Sequence, residues 1–110
     1  MKGKEGIGMV YNKLVRDRIP EIITSSGKTC TTRILRSDEY QKMLDKKLQE
    51  ELGEYLESSS VEELADLLEV LEAAAKARGC SVEELHRIRD EKRIARGGFN
   101  NRIFLIDVTE

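Results

Sequence analysis

The sequence predicts a mainly α-helical bundle, and two observations carry that reading. Apolar residues recur at three- and four-residue steps through Tyr40, Met43, Leu44, Leu48, Leu52, Tyr55 and Leu56, the period of one helix face. Serines at 37, 60 and 81 stand just ahead of helix-like runs, and Gly79 and Gly97 stand just after two of them. Two short segments, TCTTRILR and RIFLIDV, alternate as strands do and predict a small two-stranded sheet beside the helices.

Taken in order, the Gly-rich stretch MKGKEGIG at 1–8 predicts a flexible N-terminal extension. A single domain then spans 9–110, since 110 residues suffice for one compact domain and little more. Pro20 suits the first turn of a short helix and Gly27 its end. A strand follows over about 29–35. Ser37 is the expected N-cap of the first long helix, which runs through SDEYQKMLDKKLQEELGEYLE. Ser58–Ser60 make a turn into a second long helix, VEELADLLEVLEAAAKAR, stopped by Gly79. Ser81 caps a third, VEELHRIRDEKRIAR, stopped by Gly97-Gly98. Asn100 and Asn101 form a turn before a last strand over about 102–108.

Composition narrows the function classes. The chain is 39% hydrophobic and 36% charged, which leaves a lone protomer a thin core and points to a homo-oligomer. A net charge of −2 supplies no basic field for nucleic acid, and the scarcity of aromatics disfavours a base-stacking platform. No apolar stretch reaches the roughly 20 residues of a membrane span, and no apolar segment reads as a secretion signal. Cys30 and Cys80 lack CxxC spacing and read as unpaired thiols of a cytoplasmic protein. His86 has no identifiable partner and reads as a surface or interface residue.

The chemistry is concentrated around the triple serine. Glu51 and Glu54 are three apart, as are Glu63 and Asp66, so each pair occupies one helix face about one turn apart. If the two helices fold back antiparallel about Ser59, Glu54 comes opposite Glu63 and Glu51 opposite Asp66. Glu51 falls inside the apolar arc between Tyr40 and Leu44, and Glu54 lies at its edge. Carboxylates turned towards a partner helix lose hydration and repel one another unless a cation joins them. Oxygen ligands without nearby thiols or imidazoles suit Mg²⁺, with Mn²⁺ as a substitute. A plainer reading competes: Ser60-Val-Glu-Glu63 fits a capping box in which Glu63 folds back on the helix start. Glu50, Glu57, Glu62, Glu69 and Glu72 read as a solvated face.

The segment KLQEELGEYLESSSVEELADLLEVLEAAA resembles the all-α nucleoside triphosphate pyrophosphohydrolases of the MazG-like group. Its Glu50-Glu51-Leu-Gly-Glu54 and Glu63-Leu-Ala-Asp66 match the EExxE and ExxD hallmark. YNKLVRDRIPEII, TRILRSDEYQKMLDKKLQEEL and EKRIARGGFNNRIFL extend the likeness, from Tyr11 to about Leu105, to a small subgroup of house-cleaning pyrophosphatases. The resemblance implies an antiparallel catalytic helix hairpin, with Glu51, Glu54, Glu63 and Asp66 as Mg²⁺ ligands. It also implies hydrolysis of a nucleoside triphosphate between the α and β phosphates, giving a monophosphate and pyrophosphate, in dimers or tetramers. Glu50 or Glu54 is the candidate for activating water. Lys13, Arg16 and Arg18, with Lys92, Arg93 and Arg96, are candidate phosphate contacts; of these Lys13, Arg16, Lys92 and Arg96 are the ones expected to bind substrate. Lys92 and Arg96 share a helix face, although a basic last turn also suits the helix dipole. Two further readings stand beside this one. The hairpin could be a non-catalytic dimerisation module, or the chain could be a phosphoribosyl-ATP pyrophosphohydrolase of histidine synthesis.

Overall fold

The computed structural model describes residues 8–110, so most of the expected extension over 1–8 lies outside the described residues. Four helices account for all the regular structure there: α1 (Ile19–Ser25), α2 (Ser37–Ser58), α3 (Val61–Ala77) and α4 (Val82–Arg96). The mainly helical expectation is met.

Local chemistry explains the boundaries. Pro20 occupies the first turn of α1, where its missing N–H costs nothing, and Gly27 follows the helix at φ +90°. α2 begins at Ser37 rather than after it. Arg36 takes the cap position, and its backbone N–H donates to the Glu39 carboxylate at 3.2 Å. Between α2 and α3 the turn is only two residues long. Ser59 adopts the left-handed conformation at φ 56°, and its N–H donates to the Tyr55 carbonyl. Ser60 then caps α3 by accepting from the Glu63 N–H at 3.3 Å. Ser81 does the same for α4 from Glu84 at 3.1 Å, and Gly79 and Gly97 end α3 and α4 at positive φ.

So tight a turn sends α3 back along α2. Gln41 near the start of α2 donates to the Ala77 carbonyl at the end of α3 at 3.0 Å, and Arg78 reaches Asp45 at 3.8 Å. The core between them is thin. Leu44 (3% exposed) and Val70 (8%) are its only buried apolar residues among those described. α4 meets α3 through its first turns, where Val82, Leu85 and His86 are half-buried. α1 packs against none of the other helices. The whole is elongated, 74 × 31 × 26 Å. No helix among the described residues is long and apolar enough to cross a membrane.

The expected two-stranded sheet is absent from the described residues. Both 29–35 and 102–108 lack regular structure, Arg102 takes φ 57°, and Ile34, Ile103, Phe104, Leu105 and Ile106 lie exposed. Alternating β-branched residues favour a pleated surface only where a neighbouring strand supplies the ladder and the packing. Neither segment has that neighbour here. The turn expected at Asn100-Asn101 does form, closed by the Arg102 N–H on the Phe99 carbonyl at 3.2 Å.

Candidate metal centre

Glu51 is the only buried charged residue among those described, at 7% exposure. It sits on the face of α2 that packs against α3, as its place inside the apolar arc predicts. Its Oε2 is buried with no hydrogen-bond partner, and its Oε1 lies 3.5 Å from the Lys47 ammonium. A carboxylate oxygen left without a partner out of water is costly, so this atom marks a place where a cation would be stabilising.

Two groups of carboxylates share Glu51. Glu50, Glu51 and Glu54 each bring one oxygen within 4.8 Å of the others on α2. Glu51, Glu63 and Asp66 do the same across the helix pair. The four acids expected as ligands therefore do not meet at one point. They form two overlapping trios with Glu51 as pivot, and Glu50 completes the second. Its place at the cluster, half-buried, separates it from the solvated face to which its neighbours were assigned. Every donor is a carboxylate oxygen, a set that fits a hard divalent cation.

The capping-box reading of Glu63 is met only in half. A full capping box needs its carboxylate on the Ser60 N–H, but that N–H donates instead to Ser58 Oγ at 3.2 Å. Only the Ser60 half of the box forms, and the Glu63 side chain is left to the cluster.

The electrostatics follow from this crowding. Burial pushes the Glu51 carboxyl above its ordinary range, and Glu54 and Asp66 push it further. Desolvation, then Asp66, Glu51 and Glu62, raise Glu63. Glu50 goes the other way. Burial would raise it, but Lys47 at 3.1 Å and Lys13 at 3.5 Å outweigh that and hold it below the usual carboxylate range.

Among the described residues three cations reach the cluster. Lys13 pairs with Glu50, and the Arg16 Nη2 donates to Asp66 Oδ1 at 2.6 Å, so both N-terminal candidates stand at the site. Lys47, half-buried at 16% side-chain exposure, was not singled out from the sequence. The signal was present, since it precedes Glu50 and Glu51 by three and four residues on one helix face. Arg18 pairs with Glu21 instead. Lys92 and Arg96 are exposed on α4 and form no ion pair or hydrogen bond with the cluster among the described residues. A cleft of about 480 Å³ opens beside Glu50, lined among others by Tyr11, Asn12, Lys13, Lys46 and Lys47.

No protein-family model matches the chain, and no solved structure matches it. Over 42 residues it is 57% identical to a protein of Mycolicibacterium smegmatis (strain ATCC 700084 / mc(2)155) described as uncharacterized. The aligned part is 38% of this chain and 43% of that protein.

Away from the cluster, His86 Nε2 lies 3.3 Å from Glu72 Oε2 and joins α4 to α3. Glu72 is thus half-buried rather than part of the solvated face. Cys30 and Cys80 are both free thiols.

Proposed function

We propose that the chain is a divalent-metal-dependent nucleoside triphosphate pyrophosphohydrolase of the MazG-like kind. α2 and α3 are then its antiparallel catalytic hairpin. The observation that carries this reading is the buried, unpartnered Oε2 of Glu51 at the junction of two carboxylate trios. Glu51, Glu54, Glu63 and Asp66 hold Mg²⁺, or Mn²⁺ in its place, and Glu50 is placed to assist. When bound, the ion neutralises charge on the phosphate oxygens and orients them for displacement.

The chain's own residues supply the rest. Water attacks the α-phosphorus, the α–β bridging bond breaks, and pyrophosphate leaves with the bridging oxygen. The products are a nucleoside monophosphate and pyrophosphate. Glu54 is the better candidate to take the proton from water. Lys47 and Lys13 hold Glu50 in its ionised, weakly basic form, whereas Glu54 is exposed at the rim and has no such pair among the described residues. Lys13 and Arg16 supply positive charge for the phosphates. The deciding assay is a panel of ordinary and damaged nucleoside triphosphates, with phosphoribosyl-ATP included, incubated with Mg²⁺. Pyrophosphate release is expected; orthophosphate release contradicts the assigned bond, and preference for phosphoribosyl-ATP moves the assignment to histidine synthesis.

A second reading has its own support. Leu52, Leu56, Leu64, Leu68 and Leu71 leave an apolar stripe exposed on the helix pair. The radius of gyration is 19.4 Å, against about 13 Å for a compact domain of this length. Both favour a homo-oligomer that covers the stripe, and a dimerisation module without catalysis would need no more. The two differ in their response to Mg²⁺, which stabilises only the enzyme.

A further inference from the structure

Resting on the metal reading above, we propose that the segment carrying Lys13 and Arg16 is a cationic strap with two alternative partners. Without metal it pairs with the carboxylates; with metal bound it is released to bind a polyphosphate chain.

The geometry supports this in three steps. First, the segment before α1 is lightly held. It is irregular, Asn12 within it has φ 46°, and α1 packs on no other helix. Among the described residues, half-buried Leu14 and the pairs Lys13–Glu50 and Arg16–Asp66 tie it to the helix pair. Second, those pairs engage carboxylates that the ion would need. Arg16 bonds Asp66, a member of the trio that crosses the hairpin, and Lys13 bonds Glu50, a member of the other. A dication placed among these acids repels a guanidinium and an ammonium a few ångströms away and competes for the same carboxylates. Third, the released cations need not travel far to meet an anion. Lys13 lines the cleft beside Glu50 together with Lys46 and Lys47, so three ammonium groups border one opening next to the carboxylates. A ligand carrying several adjacent phosphates matches that distribution. Metal and polyphosphate therefore bind cooperatively, each favouring the state in which the strap has left the acids.

The prediction has opposite signs for the two ligands. By calorimetry with Mn²⁺ alone, Arg16→Gln should bind the ion about 2- to 5-fold more tightly than the unmodified chain, the range an exposed ion pair contributes. With inorganic triphosphate as its Mg²⁺ complex, the same variant should bind several-fold more weakly. Lys13→Gln should shift both in the same directions. Arg18→Gln is the control: it removes equal charge two residues away, but Arg18 pairs with Glu21 and not with the cluster. Weaker Mn²⁺ binding by Arg16→Gln would make Arg16 a positioning residue for Asp66 and overturn the proposal. Equal effects of Arg16→Gln and Arg18→Gln would reduce it to bulk charge and also overturn it. If the unmodified chain binds no Mn²⁺, the metal reading itself falls and this inference with it, an outcome separate from the other two.

Discussion

Replacing Glu51 with leucine should stabilise the metal-free protein and abolish its response to Mg²⁺. The carboxylate is 7% exposed, one oxygen has no partner, and Glu54 and Asp66 repel its ionised form. An unsatisfied buried polar group costs about 1–3 kcal/mol, and leucine removes that cost while adding apolar burial. Lys47 loses one partner but keeps Glu50 at 3.1 Å, so little is lost on the other side. A net gain of about 1–2 kcal/mol corresponds to a rise of roughly 5–10 °C in Tm for a domain of this size. Magnesium should reverse the order. At about 100 times its Kd, an ion that binds only the folded state adds roughly 2.7 kcal/mol to the unmodified chain and nothing to the variant. The measurement is a thermal melt by circular dichroism at one protein concentration, in chelator and in Mg²⁺, on the unmodified chain, Glu51→Leu and Glu51→Gln. The glutamine variant should also lose the Mg²⁺ response. A variant that melts lower in chelator would refute the claim that Glu51 is strained without a cation. Equal Mg²⁺ shifts in all three proteins would refute the claim that it is the pivot of the site.

Other expectations follow from the same structure. Glu51 and Glu63 are held above the ordinary value of 4.5 in the fold, so the folded state binds more protons than the unfolded chain in the window just above it. Their contribution to stability is therefore complete below about 4.5 and is lost as pH rises through the raised values. In chelator, Tm should accordingly rise as pH falls from about 7 to about 5, whereas in saturating Mg²⁺ it should fall, because protons then compete with the ion. Leu44→Ala should cost about 2–5 kcal/mol, enough to unfold much of a chain with so small a core, measurable by urea titration. Ser60→Ala removes the α3 cap and should cost about 1 kcal/mol, seen as a drop of roughly 4–8 °C in Tm. Ser59→Gly relieves a left-handed serine and should add up to about 1 kcal/mol, after allowing for the greater freedom of glycine when unfolded.

The helices were legible because their signals are local. Ser60, Ser81, Gly79 and Gly97 act through hydrogen bonds and φ values within one turn of themselves, so they need no tertiary context to be read. Glu51 was legible for a related reason: its angular position inside the apolar stripe places it against the partner helix on helical periodicity alone. The strands at 29–35 and 102–108 were misread because strand formation depends on a second segment, which composition does not locate. Division of the acids into two trios was equally hidden, since helical spacing gives faces but not the separation between them. His86–Glu72 and Arg16–Asp66 join residues 14 and 50 apart, and nothing in either local stretch points to the other. Lys47 was the avoidable omission, its partners lying one turn ahead on the same helix.

Charge balance at the cluster explains why a structural role alone fits it poorly. Among the described residues five carboxylates, Glu50, Glu51, Glu54, Glu63 and Asp66, meet three cations, Lys13, Arg16 and Lys47. Two negative charges stay uncompensated when all five acids are ionised, and one of those acids is out of water with an oxygen unpartnered. A purely structural cluster would relieve this cheaply, by an apolar side chain in place of Glu51 or by a fourth cation from α4, whose Lys92 and Arg96 instead stay in solvent. One divalent ion would carry the missing charge. It can sit against the orphaned oxygen as well, which neither Lys13 nor Arg16 does from its exposed place on the strap. A protonated Glu51 is the remaining way out, and it is the state that acidification favours and Mg²⁺ opposes. The opposite pH slopes expected with and without the ion therefore test the electrostatic argument at its root, independently of any substrate.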